Sequence, residues 1–178
     1  MGNERIVLDG PSDFVMGASL GIRREALQAS GWLDRVLLES RTGQGLECGA
    51  EDAEVCIRVR QAGWDVIYEP GATMEHVIYA HRQTQAYLIK LREAVCRGEP
   101  ALAWVAGDVL SREHAMQEAR RARLRYFKTL VGTWNSRRQI RIAERRGKWD
   151  GWHRLAERLG REDELRATAS DAVPTNVP

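Results

Sequence analysis

Two adjacent carboxylates and one histidine mark the stretch of the chain whose residue types could do chemistry. Glu51 and Asp52 open a segment that His76 closes. A carboxylate at the start of a helix and a histidine beyond the following strand can converge in space. An ionised carboxylate in such a place can take a proton from a hydroxyl group as a general base. Acidic residues are also common at helix N-termini, where they interact with the helix dipole and cap the helix. The pattern therefore fits a catalytic site and equally an ordinary helix N-terminus.

The residues between these groups predict a helix, a glycine stop and a strand. Residues 53–62 contain neither proline nor glycine, which indicates a helix, and counting by threes and fours places Asp52 at the rim of its apolar face. By the same count Glu54 and Arg58 lie on the polar face, where we expect a surface ion pair. Aromatic and β-branched residues over 64–68 favour a strand, and residues 14–16 are expected to form a second, buried strand. The two carboxylates therefore sit where a helix begins beside a short strand.

Several pieces of residues 13–76 match one enzyme family in order and spacing. They are DFVMGASLGIRREAL, SGWLD, GAEDAEVCIRVRQAGWDVIYEP and the dipeptide EH. Together they resemble the C-terminal half of the catalytic domain in family 2-like glycosyltransferases of the GT-A fold, which use nucleotide sugars and invert the anomeric centre. The resemblance implies an α/β fold, a partial GT-A (Rossmann-like) domain, with residues 1–80 forming its acceptor-side half.

The resemblance also implies roles for the residues that open and close the segment. Glu51 and Asp52 stand at the acidic pair of the family, whose aspartate is the general base, and this makes both residues candidate catalytic groups. His76 stands where some GT-A enzymes have a histidine that helps to bind a divalent metal, Mn or Mg. The expected cofactor is therefore a divalent metal ion.

Three small or aromatic residues complete the expected site. Gly17 and Ala18 correspond to the place where the family brings its backbone close to the donor sugar and the acceptor, which small residues permit. Trp32, in SGWLD, corresponds to an aromatic residue that packs under the active site. Plain packing in the hydrophobic core is an equally good interpretation of Trp32.

The function that the resemblance implies is transfer of a sugar from a nucleotide-sugar donor to a hydroxyl of a glycan or lipid-linked acceptor, in the synthesis of cell-surface glycan or polysaccharide. The sequence shows no DXD metal motif, no glycine-rich phosphate loop and no room before Phe14 for a nucleotide-binding half. We therefore expect a fragment or split form, completed by a partner chain or a second copy. The alternative is a non-catalytic module, derived from such an enzyme, that oligomerises or associates with a membrane.

Composition sets broader limits on the protein. The chain has 178 residues, of which 43% are hydrophobic and 29% charged, values typical of a globular domain. Neither a secretory signal peptide nor an apolar run long enough to cross a membrane is evident. A zinc site built from Cys48, Cys56 and His76 is conceivable, but reduced thiols in a cytoplasmic protein are the favoured interpretation. The expected location is the cytoplasm, at the inner face of the membrane if the protein contacts lipid.

The second half of the sequence predicts helices and carries most of the positive charge. Residues 81–166 are expected to form a helical extension with breaks near Gly98-Glu99-Pro100 and Gly147, and residues 167–178 a disordered tail. Residues 111–150 contain 12 Lys and Arg against 4 Asp and Glu, with aromatic residues between them. This composition suits an interfacial helix on anionic lipid; nucleic acid is a less favoured partner, and a solvated basic face is the simplest alternative.

Overall fold

A computed structural model describes residues 3–10, 13–38, 49–108, 111–131 and 135–171, with side chains to residue 164. In chain order its elements are β1 (Ile6–Val7), a 3-10 turn (Gly17–Ser19), α1 (Arg24–Ala29), α2 (Glu51–Gln61), β2 (Ile67–Tyr68), a second 3-10 turn (Ala80–Gln83), α3 (Gln85–Val105), α4 (Arg112–Thr129) and α5 (Ser136–Asp171).

The N-terminal part packs α1 and α2 against a small antiparallel ribbon. β1 pairs with β2 so that Ile6 faces Tyr68 and Val7 faces Ile67. Apolar side chains from both helices and both strand regions form one buried cluster, which holds Leu8, Ala26, Val55, Cys56, Val59 and Val66. A two-stranded ribbon is marginal alone in water, so this cluster supplies the burial that stabilises it.

Helix α2 lies at the centre of this part, as the sequence predicts. It begins at Glu51, with three acidic residues in its first turn, where the helix dipole favours negative charge. It ends before Gly63, whose φ of +83° is a backbone conformation that glycine adopts without strain. One face of α2 enters the core, and the side chains of the other faces reach the neighbouring loops.

The C-terminal part is a bundle in which α5 packs along both α3 and α4. Two glycines of α5 permit the closest approach: a Cβ at Gly147 would collide with the carbonyl oxygen of Glu93, and one at Gly151 with the carbonyl oxygen of Arg97. Ion pairs cross the same contact, among them Lys148 to Glu99 at 2.8 Å. None of the helices described here combines the length and the apolar composition that a membrane span needs.

The expected α/β fold class is wrong. A Rossmann-like GT-A domain is built on a largely parallel sheet with helices on both faces. The described residues are instead mostly helical, and their only sheet is the two-stranded antiparallel ribbon of β1 and β2. Strand-like composition over residues 64–68 yields only two paired residues there, because β2 has one partner strand and a turn follows it.

Three expectations about single elements also need correction. Residues 14–16 were expected to form a buried strand, but they have no strand partner, and the side chains of Phe14 and Met16 are exposed. Helix α3 continues through Pro100 instead of ending before it. Residues 136–171 form one helix, α5, so the first five residues of the predicted disordered tail are helical; residues 172–178 lie outside the described residues.

Candidate functional site

A carboxylate held by two backbone N–H groups is the centre of the candidate site. The Gly17 N–H donates to Oδ2 of Asp52 at 3.0 Å, and the Ala53 N–H donates to Oδ1 at 2.9 Å. Asp52 is half-buried, and Gly17 is exposed at the start of the first 3-10 turn. The structure therefore brings together two of the predicted site residues that lie 35 positions apart. Each carboxylate oxygen keeps a further lone pair, so the group can accept a proton or another hydrogen bond.

The turn into α2 is strained immediately before the two acidic residues. Ala50 has φ +121° and ψ 22°, a conformation that non-glycine residues rarely adopt. The Ala50 N–H donates to Oε2 of Glu51 at 3.1 Å. Glu51 is thus bound to the turn that precedes it, whereas Asp52 reaches across to another part of the chain. Backbone strain of this kind is concentrated at functional sites.

Ala18 and Ser19 continue the exposed 3-10 turn beside Asp52. A cavity of about 560 Å³ opens next to them, between the turn, α1, α2 and β2. Its walls are mainly apolar and include Val15, Ile22 and Val59, with Ser19 at its edge, while Asp52 is not among the lining residues. The carboxylate thus lies outside the apolar cavity, on the exposed surface of the turn. The close approach expected at Gly17 does not require glycine, because a Cβ there would lie 3.5 Å from that of Asp52, an ordinary contact.

Trp32 packs against the core cluster and is partly buried. Its indole Nε1 is buried and has no hydrogen-bond partner in the described part of the chain. Its backbone N–H donates to Oγ of Ser30 at 3.3 Å. The ring thus packs on the core, and the role of Trp32 beneath the active site stays a prediction.

His76 lies in an exposed irregular segment after β2. Within the described ranges, no hydrogen bond or ion pair connects His76 to the acidic pair, and no group of three or more histidine, cysteine, aspartate or glutamate side chains is arranged to hold a metal. The residues around His76 as described therefore do not form a ligand set, and its metal role stays a prediction.

Sequence reasoning missed the way in which α2 holds the loops around the site. Glu54, expected in a surface ion pair, is fully buried: it accepts hydrogen bonds from the backbone N–H groups of Leu37 and Leu38 and from Nε of Arg58 at 2.8 Å. Arg60 donates to the carbonyl oxygen of Asp13 at 2.7 Å. The sequence offers one signal for these contacts, which is the number of charged residues, among them Glu54, Arg58 and Arg60, between the apolar residues of α2.

Two of the three cysteines lie among the described residues, and both are free and buried; Cys48 lies outside them. Burial raises the pKa of the Cys56 thiol. Burial, with Glu99 nearby, raises the pKa of the Cys96 thiol to about 11. Both thiols are therefore protonated at neutral pH, which makes them poor nucleophiles and poor metal ligands.

Comparison of the chain with protein-family models, with curated proteins and with solved structures gave no match.

Proposed function

We propose that the site around Asp52, completed by a second copy of this chain or by a partner chain that supplies the nucleotide-binding half, transfers a sugar from a nucleotide-sugar donor to an acceptor hydroxyl, with inversion at the anomeric carbon. The observation that supports this proposal is the hydrogen bond from the Gly17 N–H to Asp52. It joins the two segments, DFVMGAS and GAEDAE, on which the resemblance to inverting glycosyltransferases depends. Two motif pieces that are far apart in sequence thus meet at the one side chain to which the resemblance gives the role of base.

Inverting sugar transfer requires a base that removes the proton of the acceptor hydroxyl, and a carboxylate close to that hydroxyl can serve. The acceptor oxygen attacks the anomeric carbon from the face opposite the leaving diphosphate, while Asp52 takes the hydroxyl proton. The C–O bond to the acceptor forms as the C–O bond to the diphosphate breaks, and the nucleoside diphosphate leaves with the electron pair. A base within hydrogen-bond reach contributes about 10²–10⁴ to such a rate.

Glu51 acts in this proposal as a positioning residue. Its carboxylate accepts from the strained Ala50 N–H and so holds the turn from which Asp52 projects. Both residues lie in the first turn of α2. Gly17 supplies the N–H that orients Asp52, and Ala18 leaves the surface beside the carboxylate open.

The donor would bring its diphosphate to the same surface, and a divalent metal would neutralise the leaving group. His76 is the residue that the resemblance assigns to that metal, but the described residues around it do not form a ligand set, so we assign no step to a metal. Calorimetric titration with uridine and guanosine diphosphates, with and without manganese, tests the role directly. Manganese-dependent binding that His76→Ala abolishes and His81→Ala retains would support the metal role that the resemblance gives to His76. Equal binding with and without manganese would remove His76 from the site.

The reaction itself is tested with a panel of uridine- and guanosine-diphosphate sugars and hydroxyl-bearing glycan and lipid acceptors. Mass spectrometry detects the glycosylated product and the released diphosphate, and proton NMR gives the anomeric configuration. We expect product from one donor class, with inverted configuration. Failure of every donor to bind or react, or a product of retained configuration, would contradict the proposal.

A further inference from the structure

One face of α4 combines exposed apolar and basic side chains. The opposite side of the helix packs on α5 and buries Ala115, Ala119, Ala122 and Thr129. Three exposed residues lie at helical spacing on the side of α4 away from α5, and Val131 follows just beyond the end of the helix; these four are here called the outer face of α4: Arg120, Leu124, Lys128 and Val131. Leu124 is 63% exposed and Val131 82% exposed. Aliphatic side chains this exposed, on a helix that is otherwise amphipathic, indicate an interaction surface.

The two positive charges of this face, on Arg120 and Lys128, are not used to hold the fold. Within the described residues, no carboxylate lies within ion-pair distance of Arg120, Arg123, Arg125 or Lys128; Arg121 is the neighbour that has one, Glu118. The guanidinium of Arg123 lies over the rings of Phe127 and Trp149, at 5.6 and 5.7 Å. Arg123 thus packs on rings of α4 and α5, whereas the charges of Arg120 and Lys128 are available to a partner.

Two arginines of α5, in contrast, have a structural role, since they donate hydrogen bonds to oxygen atoms of α4. Nε of Arg138 donates to the carbonyl oxygen of Thr129 at 2.9 Å. Nη1 of Arg145 donates to the Thr129 hydroxyl at 2.6 Å and to the carbonyl oxygen of Arg125 at 2.8 Å. These contacts satisfy the C-terminal carbonyl groups of α4 and fix its last turn against α5. The outer face is thus presented on a rigid helix end.

We propose that the outer face of α4 docks on the surface of a lipid bilayer that contains anionic lipid. Basic side chains beside exposed aliphatic ones match this partner, because headgroup charge attracts the former and the acyl boundary accepts the latter. A nucleic acid would engage Arg120 and Lys128 but leave Leu124 and Val131 in water. The neighbouring aromatic side chains are engaged with one another: Tyr126 packs against Phe127 and Trp149 at ring distances of 5.4 and 5.7 Å. This inference does not rest on the Asp52 site.

The test is co-sedimentation of the full chain with vesicles of phosphatidylcholine alone and of phosphatidylcholine mixed with phosphatidylglycerol. We expect binding to the mixed vesicles only, weakening as salt is added. A basic residue near an anionic surface contributes about five-fold, so the double substitution R120Q/K128Q is expected to weaken binding about 25-fold. Leu124→Ser removes an inserted side chain and is expected to cost about tenfold.

The matched controls are Leu88→Ser and Lys90→Gln on α3, which change exposed residues of the same types outside the outer face. We expect both to bind the mixed vesicles as the unaltered chain does, and circular dichroism to show the same helical content for all variants. Equal binding to both vesicle types would overturn the proposal, as would loss of binding in the controls. Salt-sensitive binding of duplex RNA or DNA by a chain that ignores both vesicles would identify a nucleic-acid surface instead.

Discussion

The hydrogen bond between the Gly17 N–H and Asp52 can be removed at its donor and weakened at its acceptor. Proline at position 17 deletes the N–H donor, and the preceding residue, Met16, already has the extended backbone (ψ 135°) that a residue before proline needs. The first residue of a 3-10 turn also has the φ that proline imposes. Alanine at position 17 keeps the donor, and its Cβ makes only an ordinary contact with Asp52. Asparagine at position 52 removes the charge and leaves a single acceptor oxygen for the N–H groups of Gly17 and Ala53, so it weakens the hydrogen bond.

The coupling energy between residues 17 and 52, which a double-mutant cycle measures, depends on how exposed their hydrogen bond is. A hydrogen bond to a charged group contributes about 1.5–3 kcal/mol net when it is shielded. Here the donor is exposed and the acceptor half-buried, so we expect about 1 kcal/mol. Proline also changes the entropy of the unfolded chain, but that effect is the same beside aspartate and asparagine and cancels in a double-mutant cycle.

The assay is urea unfolding of four proteins, which carry Gly17→Ala or Gly17→Pro, each with Asp52 or with Asp52→Asn. We expect Gly17→Pro to destabilise relative to Gly17→Ala when Asp52 is present, and much less when it is replaced. A coupling energy below about 0.3 kcal/mol, the usual limit of additivity, would refute the reasoning that Gly17 holds Asp52.

Three further predictions concern packing, strain and pH. Gly147→Ala should destabilise the protein by about 2 kcal/mol in thermal unfolding, because its Cβ would collide with the backbone of α3. Gly160→Ala should destabilise it much less, because its Cβ would meet only the side chain of Arg112. Equal losses of stability in the two variants would contradict the close packing at Gly147. Ala50→Gly should raise the free energy of unfolding by about 1 kcal/mol by releasing its positive φ; a loss of stability would show that the turn is not strained. The Cys96 thiol has its ordinary pKa of 9.0 in the unfolded chain and a pKa of about 11 in the folded one. Because the unfolded state loses its proton first, the free energy of unfolding should fall as pH rises between those values. Cys96→Ala should flatten this dependence on pH, and an unchanged dependence would count against the shift.

The start of α2 could be predicted from sequence because its signals are local. Acidic residues in a first turn, an apolar stripe and a glycine stop all act within a few residues, and they put Asp52 at the rim of the core, where the structure finds it half-buried. The hydrogen bond to Gly17 depends on two segments 35 positions apart, and only the resemblance suggested that they meet.

Tertiary contacts decided the features that local patterns could not predict. Glu54 looks like half of a surface ion pair until residues 37 and 38 cover it and donate their backbone N–H groups. Pro100 normally costs a helix about 3 kcal/mol, yet α3 continues through it because the contact with α5 and the Lys148–Glu99 ion pair stabilise the residues on that side. The α/β fold class was wrong because strand-like composition says nothing about how many partners a strand will find.

The most direct test of the proposed function is the ratio of sugar-transfer rates between the unaltered chain and Asp52→Asn, at a saturating concentration of donor. Asp108→Asn is the matched control, since it makes the same change at an exposed residue beyond the end of α3. We predict a rate at least about 100-fold lower for Asp52→Asn and an unchanged rate for Asp108→Asn, with both proteins folded. An Asp52→Asn protein that transfers sugar as fast as the unaltered chain would show that Asp52 is not the base.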